Sequence, residues 1–93
     1  MKVIKRNGRV EEFDINKIKL TIQKASEETY QPFTGSDINN LSQAINSEVH
    51  KAGREQIKVS EILDILVSTL VELGFNDVAK FYKNYETNFY KGI

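Results

Sequence analysis

Residues Met1–Lys17 read MKVIKRNGRVEEFDINK, and the parsing of that stretch decides the fold of the whole chain. Asn7-Gly8 lies between two strand-like runs, Lys2–Arg6 and Arg9–Phe13. Asn-Gly in that setting signals a two-residue hairpin loop, because both central turn positions need φ > 0. Such a loop places Arg6 opposite Arg9, Lys5 opposite Val10 and Ile4 opposite Glu11. With side chains alternating between faces, one face carries Ile4, Arg6, Arg9, Glu11 and Phe13, the other Val3, Lys5, Val10 and Glu12. Neither face is cleanly apolar, which implies contacts on both sides of the sheet. Asp14 reads as the N-cap of a helix opening at Ile15. Lys2, Lys5, Arg6 and Arg9 cluster at this hairpin, and Lys17 falls in the first helical turn. A cation there opposes the helix dipole unless an anion is close. A helix N-terminus beside clustered Lys and Arg is a natural anion site, which points to a phosphorylated ligand.

Beyond the hairpin the periodicity turns helical. Ile15, Ile18, Ile22 and Ala25 give the apolar stripe of a first helix, Ile15 to about Glu28. Thr29–Gly35, with the only proline, Pro32, reads as a loop. Ile38, Leu41, Ile45 and Val49 mark a second helix, from about Ser36 to Lys51, with Gly53 as its stop. Gln56–Val59 is a candidate third strand. Ser60 can cap a third helix, Glu61 to Leu73, which is apolar nearly all round and therefore central. Gly74 ends it, and Asn76 can cap a fourth, Asp77 to about Tyr90, whose stripe is Val78, Tyr82, Tyr85 and Phe89, with Phe81 on its flank. The short connection makes helices three and four antiparallel neighbours. The fold class expected is α+β: one domain over residues 1–93, a small four-helix bundle capped by an N-terminal β-hairpin, or by a three-stranded sheet if Gln56–Val59 joins it.

Composition narrows the function. Thirteen basic and 13 acidic residues give zero net charge, against a general nucleic-acid binder, whose affinity rests on excess positive charge. The third helix has no Lys or Arg and the second offers mainly Lys51, so a winged-helix reading has no recognition helix. With no cysteine, disulfides, zinc ribbons and thiol catalysis are excluded, and a cytoplasmic location is expected. No run is long enough to span a membrane, so no membrane partner is expected. There is no GxxxxGK[ST] loop, no GxGxxG after a strand and no convincing Ser/His/Asp set, so no catalytic residue and no enzyme activity are expected. His50, with only Glu48 as a close acid, reads as a surface helix residue rather than a metal ligand.

The hairpin cations have a plain reading too, as lysines that discourage edge pairing of strands. Their position at the turn, beside a helix start, favours a phosphate site. For Glu11, Glu12 and Asp14 the plain reading is ion pairing and capping. The functional one is that a carboxylate receives a ligand hydroxyl or the amino group of a base.

These residues also match a family. Val3-Ile4-Lys5-Arg6-Asn7-Gly8-Arg9-Val10, followed by Phe13-Asp14 and Lys17-Ile18, closely resembles the opening of the ATP-cone domain, V-x-K-R-[DN]-G-x-x-x-x-F-[DN]-x-x-K-I. Val59-x-x-Ile62-x-Asp64 is similar to its middle motif, and Gly74-x-x-x-Val78-Ala79-Lys80-x-Tyr82-x-x-Tyr85 to its closing one. The resemblance implies a regulatory domain, non-catalytic by itself, that binds ATP or dATP as effector, with Mg2+ accompanying the nucleotide. Such domains stand at the N-terminus of ribonucleotide reductases, including the anaerobic class, and behind a zinc ribbon in a repressor of reductase genes. The partners implied are an adenine nucleotide and either a reductase catalytic domain or other copies of the chain. The contacts implied are Val3, Lys5, Arg6, Glu11, Asp14 and Lys17: Lys5, Arg6 and Lys17 toward phosphates, Glu11 or Asp14 toward the base or sugar. Two positions depart from the pattern. Leu63 stands where Gln or His often faces the nucleotide, and Glu86 where a basic residue is usual. If those changes abolish binding, the chain is a degenerate cone acting as an interaction module. With no room for a reductase barrel, the chain reads as an excised regulatory domain or a stand-alone cone.

Overall fold

The structure is a computed structural model that describes all residues except 31–32, 52, 85–89 and 91–93. Its elements run β1 (Lys2–Ile4), β2 (Val10–Glu12), α1 (Ile15–Glu28), α2 (Gly35–His50), β3 (Gln56–Lys58), α3 (Val59–Glu72) and α4 (Asn76–Asn84). The α+β class and the small sheet against four helices agree with the sequence reading, and Gln56–Lys58 does join the hairpin.

The hairpin register differs from the expected one. Lys2 pairs with Glu12, Val3 with Glu11 and Ile4 with Val10. Lys5 N–H donates to the Arg9 carbonyl at 2.8 Å and Gly8 N–H to the Lys5 carbonyl at 3.0 Å, so three residues, Arg6-Asn7-Gly8, form the loop. The positive φ falls on Gly8 alone, at 85°. Asn7 instead turns its side-chain oxygen to the Arg9 N–H at 3.0 Å. A three-residue loop with glycine in the left-handed region is the next commonest hairpin connection. The extra loop residue slips the strands by one, which moves a whole side-chain set to the other face. Val3 is buried, opposite Glu11 on the inner face, while Ile4 pairs with the half-exposed Val10 on the outer one. The mixed faces read from the sequence resolve into one core-facing and one solvent-facing side.

The sheet order is β2-β1-β3, with β3 parallel to β1 and Ile57 beside Val3. Parallel strands need a long crossover, and here α1 and α2 supply it. The core is formed by Ile18, Ile22 and Ala25 of α1, Leu41, Ile45 and Val49 of α2, Ile62, Leu63, Leu66 and Leu70 of α3, and Val78, Ala79 and Tyr82 of α4, closed by Val3, Ile57 and Val59. As its composition implied, α3 is central, packing against α2, α4 and β3. Its C-terminal end departs from that, with Val71 50% and Leu73 48% exposed. Tyr82 is buried and donates its hydroxyl to Thr21 Oγ1 at 3.1 Å, tying α4 to α1. Burial holds its hydroxyl well above the usual phenol range. Tyr85, Phe89 and the expected continuation of α4 to Tyr90 include positions outside the described residues.

Two helix starts differ from expectation. Thr34 caps α2 in a full capping box, its Oγ1 accepting from Asp37 N–H at 3.1 Å while Asp37 accepts from Thr34 N–H at 2.9 Å. α3 begins at Val59 rather than after Ser60, because Glu61 reaches back to the Lys58 N–H at 2.9 Å. The Arg54 guanidinium clasps the same carboxylate in a bidentate pair at 2.9 and 3.1 Å. That pair, helped by the Lys58 N–H, pulls the Glu61 carboxyl down to about 2. A folded-state value below the ordinary one makes this contribution full above about pH 4.5 and lost as pH falls from there toward 2. Glu61→Gln is expected to melt lower at pH 6 and to lose less on acidification. Thermal melts between pH 6 and 2 check it: the gap from wild type should close at the acid end.

Candidate functional site

The inner face of the hairpin, the start of α1 and the first turn of α3 border a narrow cleft of about 10 Å³, room for about one water. It is lined by Val3, Glu11, Glu12, Phe13, Asp14, Lys17, Ile18 and Ile62. Each wall has a local cause. Val3 and Glu11 reach the cleft because the register sets them side by side on the inner face. Asp14 is fixed by capping, its Oδ1 accepting from Asn16 N–H at 2.9 Å, as the sequence reading favoured. The cap starts α1 at Ile15, which places Lys17 in the first turn beside the sheet. Ile62 enters from α3 through the Val59 helix start.

Charge is concentrated at one carboxylate. Glu11 lies 3.2 Å from the Lys17 ammonium and 3.6 Å from that of Lys5. Hydrogen bonding to Lys17, reinforced by the charges of Lys17, Lys5 and Arg9, holds the Glu11 carboxyl below its usual range against a partial burial penalty. The anion that Lys17 requires in the first turn of α1 is therefore supplied by Glu11. On the solvent side Glu12 pairs with Lys2, whose hydrogen bond also lowers the Glu12 carboxyl.

Of the six positions implied by the resemblance, Val3, Glu11, Asp14 and Lys17 line the cleft, and Lys5 joins them through Glu11. Arg6 does not: its guanidinium lies 4.5 Å from the centre of the Tyr90 ring. Phe13 and Ile62 form apolar walls that sequence reasoning treated only as motif or core. Phe13 also meets the exposed His50 ring edge-on at 5.6 Å, and His50 Nδ1 contacts the Asn46 carbonyl. Leu63 is buried in the core and lies apart from this cleft, bordering instead an opening with Asp64, Val67, Ser68, Tyr82 and Lys83. Glu86 lies outside the described residues.

A family model described as the ATP cone domain matches residues 1–88. The chain is similar to the ribonucleoside-diphosphate reductase subunit alpha of Chlamydia pneumoniae, 37% identical over 87 residues, covering 86% of this chain and 8% of that subunit. It is similar also to the transcriptional repressor NrdR of Kosmotoga olearia, 35% identical over 68 residues, 73% of this chain and 42% of the repressor. With NrdR of Clavibacter michiganensis subsp. michiganensis the identity is 32% over 90 residues, 94% of this chain and 56% of the repressor. The chain thus spans a small part of the reductase subunit and about half of each repressor.

Proposed function

This chain belongs to the ATP-cone family, and we propose on that premise that it binds ATP or dATP as an effector in the cleft between the hairpin and α1. The observation that carries the reading is the pair of ammonium groups, Lys5 and Lys17, already converged on an anionic group in the Glu11 carboxylate. A polyphosphate is a stronger anion and offers more acceptors to the same two donors. Arg6 adjoins them on the hairpin loop. Once the ammonium groups turn to phosphate, the Glu11 carboxylate is free to accept from the amino group of a base or a sugar hydroxyl. Asp14 has its second oxygen for the same purpose. Phe13, half buried at the mouth of the cleft, offers the base an apolar face. Among the described residues no group of three or more His, Cys, Asp or Glu could hold a metal. Mg2+, where present, would therefore be carried mainly by the phosphates.

The domain itself performs no chemistry in this reading. Occupancy would be read by a reductase catalytic domain or by another copy of the chain. The relatives named as transcriptional repressors bear on nucleic acid as well. The zero net charge argues only that this domain is not the DNA-gripping surface; a longer protein built around it can still act on DNA. Among the described residues no helix is long and apolar enough to cross a membrane.

Base recognition is checked by titrating wild type and Glu11→Gln with ATP, dATP and GTP. Wild type should prefer the adenine nucleotides. Glu11→Gln should lose most of that preference while still binding triphosphate, because the cations remain. An unchanged preference would assign base recognition to Asp14 or to the apolar walls.

A further inference from the structure

Every cation that the nucleotide reading assigns to phosphate is already engaged within the domain. Lys5 and Lys17 share Glu11, and Arg6 lies over Tyr90. The Arg6 contact differs in kind, because it joins the exposed hairpin tip to a residue beyond α4. Tyr90 is half buried and packed against the core, whereas Arg6 sits on the exposed hairpin loop. Arg6 directly follows Lys5, and adjacent Cα atoms are about 3.8 Å apart. A polyphosphate drawn to Lys5 therefore comes within the sweep of the Arg6 side chain. Exposed cation–π contacts are weak, whereas guanidinium–phosphate hydrogen bonds are among the strong ones. The exchange thus runs toward phosphate.

We propose that Arg6 is a shared cation: without nucleotide it pins Tyr90 to the hairpin, and a bound triphosphate withdraws it, so that occupancy of the cleft releases the contact beyond α4. This rests on the nucleotide reading above and adds how occupancy leaves the site. Linkage makes the effect reciprocal. Whatever draws Tyr90 away from Arg6 strengthens triphosphate binding, and whatever holds it there weakens it. A monophosphate, with less charge and fewer acceptor oxygens than a triphosphate, competes too weakly for Arg6 and leaves the contact in place.

The full chain, labelled with 15N, provides the test through the Nε–Hε signal of Arg6, assigned by its loss in Arg6→Lys. In the free protein the Tyr90 ring should shift that signal away from its position in Tyr90→Leu, a variant that keeps apolar bulk but removes the ring. Saturating ATP should move the wild-type signal off its ring-shifted position, and AMP should not. Calorimetric titration should find ATP binding about two- to fivefold tighter in Tyr90→Leu and unchanged in Tyr90→Phe, which keeps the ring. If ATP binds but the Arg6 signal stays in place, or if Tyr90→Leu fails to tighten binding, the exchange is wrong while the nucleotide reading stands. If wild type binds no ATP, the nucleotide reading fails and the exchange falls with it.

Discussion

Leu66→Ala is expected to lower the unfolding free energy by about 2–5 kcal/mol, the range for truncating a fully buried leucine. Leu66 is 0% exposed on α3, the helix that contacts α2, α4 and β3. Truncation there removes transfer energy and leaves a cavity whose walls belong to several elements, so it collapses poorly. Domains of this size have total stabilities of about 5–15 kcal/mol, and each kcal/mol moves the melting temperature by about 4–8 °C. The variant should therefore melt lower by on the order of 10–40 °C. Val71→Ala, on the same helix but half exposed, is the internal control and should cost less than about 1 kcal/mol. Equal losses from the two would contradict the central placement of α3.

The second large effect concerns the ligand. The double variant Lys5→Ala/Lys17→Ala should lose triphosphate binding by on the order of 100-fold or more while melting close to wild type. Each charge-assisted hydrogen bond contributes about 1.5–3 kcal/mol. Removing both cations also leaves the Glu11 carboxylate in the cleft without its counter-ions, and its charge then repels an approaching polyphosphate. The side chains are 23% and 42% exposed, and such ion pairs contribute only about 0–1 kcal/mol to folding. Raising salt should weaken wild-type binding far more than that of the double variant, since the screened charges are the ones removed. A large drop in melting temperature would mean that the Lys5–Glu11–Lys17 cluster is structural.

Much of this was legible in the sequence because it rests on local rules. Asp14 caps α1 as its position before Ile15 implied, and the stripes of α1 and α2 bury Ile18, Ile22, Leu41, Ile45 and Val49 as their spacing required. Where the reading failed, two local solutions were close in energy or the cause was remote. Asn7-Gly8 fits a two-residue loop and equally a three-residue loop with Gly8 alone at positive φ, and only packing of Val3 against the core separates them. Thr34 was absorbed into a loop because the capping box shows only when paired with Asp37. Ser60 looked like the cap, but Arg54 and Lys58 recruit Glu61 and start α3 earlier. The site followed the same division. Val3, Glu11, Asp14 and Lys17 lie in one contiguous motif, and the hairpin folds them together. Ile62 reaches the cleft from α3, and Tyr90 meets Arg6 from beyond α4; no spacing within the motif encodes either.

The central claim is that Lys5 and Lys17 bind the phosphates of an adenine nucleotide, and the most direct measurement is calorimetric titration of the wild-type chain with ATP and AMP under identical salt. ATP should bind at one or more sites with an affinity at least tenfold above that of AMP; equal affinity for the two, or no heat from either together with no shift in melting temperature, would contradict it.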